Sequence, residues 1–314
     1  MSYRVLFWGT PTFAVPTLQK LIESKEFDVC GVITAPAKHQ GRSKILTPTP
    51  VASIAELHAI PTHTPTTLKT SEAKKLIESL KPDVCVVVAY GKIIPEALLS
   101  IPRHGFINAH PSKLPQYRGP APLQYAIKDG VTQSAISIMR IDAEMDHGPI
   151  LLQEPFIIAP DEYFSDVLQR AARESAELMH IALMHIKEGT AQKQPQDHDH
   201  ATFSHMVTRE TGRISWEQSS EAIYNHIRAF AQEPGAWTPW NGEDVRIHRA
   251  HALPESVGTG APGTVYAYAQ GSFLVTCGSG VLAVDSLQQP GGKLLPASLF
   301  LNGNKAFFPN ISLP

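Results

Sequence analysis

The chain has little cysteine, no long apolar run and no charge of one dominant sign. Among its 314 residues only Cys30, Cys85 and Cys277 are cysteines, far apart and without Cys-x-x-Cys spacing. That excludes a disulfide framework and suggests no zinc site. It fits a reducing, cytoplasmic compartment. No apolar run approaches the roughly 20 residues needed to span a bilayer. The first strand-like residues reach Gly9-Thr10-Pro11 too soon to form a signal-peptide core, so no targeting segment is expected. A net charge of −2 excludes a strong global pull toward nucleic acid. Gly9-Thr10-Pro11 is not the Gly-x-Gly-x-x-Gly fingerprint, which argues against a nicotinamide cofactor.

What is present is a folded protein's composition, 43% hydrophobic and 18% charged residues. The length is enough for two domains, each with its own core. Short apolar runs at 3–8, 27–34 and 83–89 read as buried parallel strands. Helical candidates lie near 15–24, 51–59 and 71–80, the last with Ser71 as a plausible N-cap. This alternation predicts a doubly wound, mostly parallel α/β sheet of the Rossmann-like kind. Further strands are expected at 134–141 and 150–158, and a long amphipathic helix at 165–187. The stretch 190–206 is polar and reads as a mobile linker, its Asp197-His198-Asp199-His200 run being incidental rather than metal-binding. Beyond it come a possible strand at 212–216, a helix at 221–231 and short strands at 245–250, 263–268, 273–277 and 281–287. Such spacing predicts a small β-barrel or sandwich. The expected domains are thus 1–189 and 207–314.

One string carries chemistry. Asn108-Ala109-His110-Pro111-Ser112-Lys113-Leu114-Pro115 follows the apolar lead Phe106-Ile107, and Asp146 stands 36 positions after the histidine. Strand side chains alternate faces, so Asn108 and His110 project side by side. An amide donor beside an imidazole suits a carbonyl oxygen that becomes negative during reaction. A carboxylate such as Asp146 can orient the imidazole and raise its basicity. No obvious protein nucleophile accompanies them, which points to direct acyl transfer onto a substrate amine. Elsewhere Lys38, Arg42 and Lys44 crowd into seven positions, within a stretch from Asp28 to Glu56 that has no acidic residue between its ends.

Asn-x-His, the Ser-x-Leu-Pro turn and the distant Asp-x-Gly together resemble the signature of the 10-formyltetrahydrofolate-dependent formyltransferases. The resemblance runs nearly end to end: it includes Phe7–Ala14, Gln40-Gly41-Arg42-Ser43-Lys44, Ala89–Pro95, Arg118–Gln124, Arg213–Trp216 and Ile227–Phe230. Within the family the members that formylate methionyl initiator tRNA are nearest. The resemblance implies a C-terminal barrel of the oligonucleotide-binding (OB) type that contacts tRNA. It also implies catalysis by Asn108, His110 and Asp146, with Ser112, Lys113, Leu114 and Pro115 contacting the folate donor. Arg42 would be the main tRNA contact, with Lys44 and Lys38 on phosphates and Phe13 near the acceptor end. It implies a metal-free monomer in the cytoplasm that gives formylmethionyl-tRNA and tetrahydrofolate. Three positions depart from the family: Pro111 for Gly, Lys113 for Leu and His147 for Thr. Two other readings are a sugar-amine formyltransferase using the same donor, which generally lacks the Gly-Arg-x-Lys loop, and a non-catalytic RNA-binding protein. The latter would want a dense basic stripe after Ile214, which is missing.

Overall fold

The computed structural model describes residues 3–40, 45–240 and 242–303. In the first part the strands are β1 (Tyr3–Gly9), β2 (Phe27–Ile33), β3 (Lys38–Gln40), β4 (Ile45–Thr47), β5 (Thr62–His63), β6 (Val84–Val88), β7 (Phe106–His110), β8 (Gln133–Arg140) and β9 (Ile150–Ile157). The helices between and after them are α1 (Val15–Glu23), α2 (Pro50–Leu57), α3 (Ser71–Leu80), α4 (Glu96–Leu99), α5 (Pro122–Lys128) and α6 (Phe164–Glu188). Seven strands form one sheet in the order β5-β2-β1-β6-β7-β8-β9. β5 through β7 are parallel, while β8 and β9 return antiparallel. The order reverses between β1 and β6, which places the ligand crevice of such a sheet at those strands' carboxyl ends. This is the doubly wound, mostly parallel sheet read from the sequence.

Local chemistry explains the element ends. Thr49 begins α2 by accepting the Ala52 N–H at 3.1 Å, with Pro50 at the first helical position. In α3 the cap is Thr70, whose Oγ1 accepts the Ala73 N–H, and not Ser71, which lies inside the first turn. Lys81, at φ +48°, ends that helix in the left-handed region. Leu6, Trp8, Cys85, Val87 and Phe106 pack on one sheet face with Ile77 of α3. The pair β3 and β4 was not expected from sequence, because three-residue strands are too short to show an alternation.

Two compact units divide the chain: 1–122 with 133–157 and 168–204, and 123–132 with 158–167 and 205–314. In the second unit the major elements are α7 (Ser220–Phe230), β10 (Ala236–Trp240), β11 (Glu243–Leu253), β12 (Val265–Ala269), β13 (Ser272–Thr276), β14 (Val281–Gln288), β15 (Leu295–Pro296) and α8 (Ala297–Gly303). Its strands form an antiparallel sheet in the order β10-β11-β14-β13-β12, with β15 on β14. Ile223 and Ile227 of α7 pack with Val245, Ile247, Phe273, Val284 and Phe300 in one apolar core. The strand expected at 212–216 is replaced by a short 3-10 turn at Glu210–Gly212 and a single bridge from Arg213 to Trp237. Among the described residues no helix is long and apolar enough to cross a membrane.

Candidate active site

Three of the sequence-predicted residues meet at the carboxyl end of β7. Asn108 pairs in register with Val87 of β6 and Met139 of β8, and His110 with Ser137 of β8. Two apart in one strand, they share a face. His110 is only 4% exposed. Its Nε2 lies 2.9 Å from the Tyr117 carbonyl oxygen. A carbonyl only accepts, so Nε2 carries the ring hydrogen of neutral His110 and Nδ1 is left as the acceptor. Nδ1 stands 3.5 Å from Oδ2 of Asp146. That is beyond a good hydrogen bond, and it sets the carboxylate against the ring's free nitrogen. The same Oδ2 accepts the Gly119 N–H at 2.8 Å.

Asp146 sits in the loop between β8 and β9 with φ +49°, unusual for a residue with a side chain. Gly148 follows because a Cβ there would collide with the Arg140 carbonyl oxygen. Gly119, at φ +109°, is also obligatory, since its Cβ would lie 2.6 Å from the Ser204 carbonyl oxygen. Sequence reasoning identified Asp146 but missed the Tyr117 carbonyl and the Gly119 N–H. Backbone groups carry no residue-type signal.

The turn 112–115 is organised from within. Ser112 is fully buried, and its Oγ donates to the Gln116 carbonyl at 2.6 Å. Ser137 Oγ donates to the Ser112 carbonyl at 2.6 Å, and Gln153 Nε2 reaches the Leu114 carbonyl at 3.2 Å. Leu114 is buried, the Leu114–Pro115 bond is cis, and Lys113 is exposed. Nearby, at the ends of β1 and β6, Thr10 Oγ1 donates to the Tyr90 carbonyl at 3.2 Å. Burial pushes the Tyr90 hydroxyl up to about 12, so it remains protonated at neutral pH.

Of the basic cluster, Lys38 belongs to the same unit. Lys38 is exposed at the start of β3, and β3 and β4 pair from Lys38–Thr47 to Gln40–Ile45. Arg42 and Lys44 lie outside the described residues. Phe13, expected near an incoming acceptor end, is only 7% exposed, in the 3-10 turn Thr12–Ala14 that precedes α1.

The polar stretch 190–206 is the largest departure from expectation. Gln194 pairs by both backbone groups with Ile150 at 2.8 Å, and Phe203 bridges Arg118. Gln196 is 6% exposed, and its Nε2 donates to the carbonyls of Asp146 at 2.8 Å and Gly148 at 2.7 Å. Its position was invisible in the sequence, because a single buried glutamine among exposed polar neighbours leaves no period.

The model of the family "Formyl transferase" matches residues 2–183, and that of "Formyl transferase, C-terminal domain" matches residues 206–305. A methionyl-tRNA formyltransferase of Trichlorobacter lovleyi is 37% identical over 100% of this chain and 98% of its own. One from Geobacter metallireducens is 39% identical over 95% of each chain. The N-formyltransferase from Helicobacter canadensis, solved in complex with folinic acid and dTDP-3-aminofucose, has the same fold. It superposes with a TM-score of 0.67 at 18% identity, over 92% of this chain and 100% of its own. By the family match and by these relatives, the chain belongs to the formyl transferase family.

Proposed function

We propose that this chain transfers the formyl group of 10-formyltetrahydrofolate to the α-amine of methionyl initiator tRNA. Full-length similarity to methionyl-tRNA formyltransferases supports the substrates. The single observation that carries the chemistry is an imidazole gripped on one nitrogen by a carbonyl and faced on the other by a carboxylate.

The folate substrate supplies an activated formyl group on N10. The acceptor amine forms a bond to the formyl carbon, and negative charge develops on the formyl oxygen. The Asn108 amide donates to that oxygen, which stabilises it as the carbonyl becomes tetrahedral. Nδ1 of His110 and the Asp146 carboxylate receive the proton that the attacking nitrogen must lose. Protonated at Nδ1, His110 carries a positive charge beside the developing oxyanion while its two N–H groups face Tyr117 and Asp146. Collapse breaks the bond to N10, which takes up the proton and leaves as part of tetrahydrofolate. No protein nucleophile is needed.

In the turn, Ser112 spends its hydroxyl on Gln116, so donor contacts come from backbone and from the outward Lys113 and Pro115, with Leu114 anchoring the turn in the core. Lys38, at the start of β3, contacts the acceptor stem together with Arg42 and Lys44. Few phosphate contacts and a near-neutral chain imply moderate, salt-sensitive tRNA affinity. We place the protein in the cytoplasm as a monomer, where its charged tRNA substrate is found.

Purified protein with 10-formyltetrahydrofolate and methionyl initiator tRNA should give formylmethionyl-tRNA, and methionyl elongator tRNA should react poorly. Absence of product with the initiator overturns the proposal. Arg42→Ala should impair tRNA formylation more than hydrolysis of the folate donor. Its loss should also flatten the plot of log affinity against log salt by about one unit. Equal loss of both activities would remove Arg42 from recognition.

A further inference from the structure

We propose that residues 194–204 form a positioning strap for the His110–Asp146 pair, with Gln196 as its central positioning residue. The inference rests on the formyl-transfer reading above. Two loops grip one imidazole. The peptide 117–119 supplies the Tyr117 carbonyl to Nε2, and the loop 142–149 brings Asp146 to Nδ1. Neither loop has a regular element to hold it. Tyr117 and Asp146 both have positive φ, +56° and +49°, which the surroundings must impose.

The strap holds both loops at once. On the first, Thr202 Oγ1 accepts the Tyr117 N–H at 2.9 Å and the Thr202 carbonyl accepts the Arg118 N–H at 2.9 Å. The Ser204 N–H then donates to the Arg118 carbonyl at 2.7 Å, and Ser204 Oγ accepts the Ala121 N–H at 3.1 Å. On the second, Gln196 donates to the Asp146 and Gly148 carbonyls. The two are joined side chain to side chain. Gln196 Oε1 accepts from Arg118, at 2.7 Å from one terminal nitrogen and 3.2 Å from Nε.

The orientation of the Gln196 amide has only one solution. Arginine donates and never accepts, so Oε1 must face Arg118 and the NH2 must face the two carbonyls. All four hydrogen-bonding positions of the amide are then used, deep in the protein. His198 adds a second clamp. Its Nδ1 accepts from Arg118 at 2.8 Å, and its ring stacks on His147 at 3.9 Å between centroids and 4° between planes. His147 is in turn tied to Asp142 at 2.7 Å, within the loop that carries Asp146. A merely stabilising pair would bury polar groups anywhere. This one ends on the backbone of the carboxylate residue and on the peptide that sets the tautomer of His110.

Gln196→Met keeps the volume and removes all four hydrogen bonds of the Gln196 amide. A displacement of about 1 Å in reacting groups can cost roughly 10²-fold in rate. We expect kcat for methionyl-tRNA to fall by about that factor in Gln196→Met, with KM for both substrates unchanged. In an Asp146→Asn background the same change should add a smaller loss than in the parent chain, because part of the strap's effect runs through Asp146 and part through the 117–119 peptide on His110. An unchanged kcat, or an equal further loss in Asp146→Asn, overturns the proposal. Gln196→Glu keeps the acceptor for Arg118 and loses the donors to the carbonyls. It should show the same fall, and replaces Gln196→Met if that variant does not fold. Nitrogen-15 histidine spectra give a readout independent of turnover: hydrogen on Nε2 of His110 in the parent chain, mixed tautomers in the variant. If the tautomer shifts but the parent chain formylates no methionyl-tRNA, the strap stands and the substrate assignment falls.

Discussion

The surroundings of His110 in the first unit and the core against the second unit's sheet bury different material. Around His110 the first unit buries Ser112, Arg118, Ser137, Gln196 and Ser204, each hydrogen-bonded, and it holds two side-chain-bearing residues of that region at positive φ. Against its antiparallel sheet the second unit instead has an open, mostly apolar cavity of about 350 Å³, faced by Ile214, Val245, Ile247, Phe273 and Leu287 with Arg213 and Thr238 among its lining residues. A typical hydrogen bond contributes only about 1 kcal/mol net, whereas leaving one partner buried and unpaired costs about 1–3 kcal/mol. A polar interior is therefore a poor way to gain stability and a good way to fix one geometry. An apolar interior is the reverse. Substitutions in the first network should register mainly in turnover, and those in the second core mainly in stability.

The largest expected effect tests the first half of that contrast. Asn108→Ala or His110→Ala should lower kcat by about 10²–10³, as loss of one oxyanion donor does elsewhere. Asn108 lies in a strand held by neighbours on either side, so its replacement should change melting temperature little, whereas His110→Ala also leaves the Tyr117 carbonyl without its partner and should cost about 1–3 kcal/mol. Near-normal turnover in either folded variant would remove that residue from the chemistry. Next comes Gly119→Ala, where a Cβ meets Ser204 backbone and φ is +109°. We expect a destabilisation toward the upper end of about 0.5–3 kcal/mol, read by denaturant unfolding, together with lost turnover. Stability loss without loss of turnover per folded molecule would separate this peptide from the site. A smaller change tests the second half. Ile247→Val, in the apolar core, should cost about 0.5–1.5 kcal/mol and leave kcat unchanged. A change in kcat there would break the division.

The same contrast explains what the sequence could show. Asn108 and His110 were legible because alternation along a strand is a rule of geometry, and β7 obeys it. The parallel strands were legible as continuous apolar runs, which only a sheet covered on both faces requires. Asp146 was legible through the family's spacing; its left-handed backbone was not. Gln196 left no trace, since its burial comes from loops that meet only after the sheet has formed. Residues 212–216 have a strand's composition, but only one bridge forms, so the apolar Ile214 serves the core without a ladder. Thr70 and Ser71 are equally good caps by type, and only the turn's geometry chooses between them.

The smallest effect concerns protons in the second unit, and it follows from apolar burial alone. His226 on α7 is 8% exposed, its Nε2 has no partner among the described residues, and its ring meets Phe230 edge-on at 5.0 Å. Desolvation holds its pKa below the ordinary value, against a weaker opposing hydrogen bond involving Gly212. The folded state therefore binds its proton at lower pH than the unfolded chain does. Stability contributed by neutral burial is complete above the unfolded value of about 6.5, and it declines as pH falls below that toward the folded value. His248 in the same unit shifts the same way, again by burial. The melting temperature of the parent chain should thus fall as pH drops below about 6.5, and His226→Leu should make that fall shallower while His248 keeps part of it. Identical slopes in the two proteins would mean that α7 opens enough to hydrate His226, and that the second unit is less dry than its apolar lining implies.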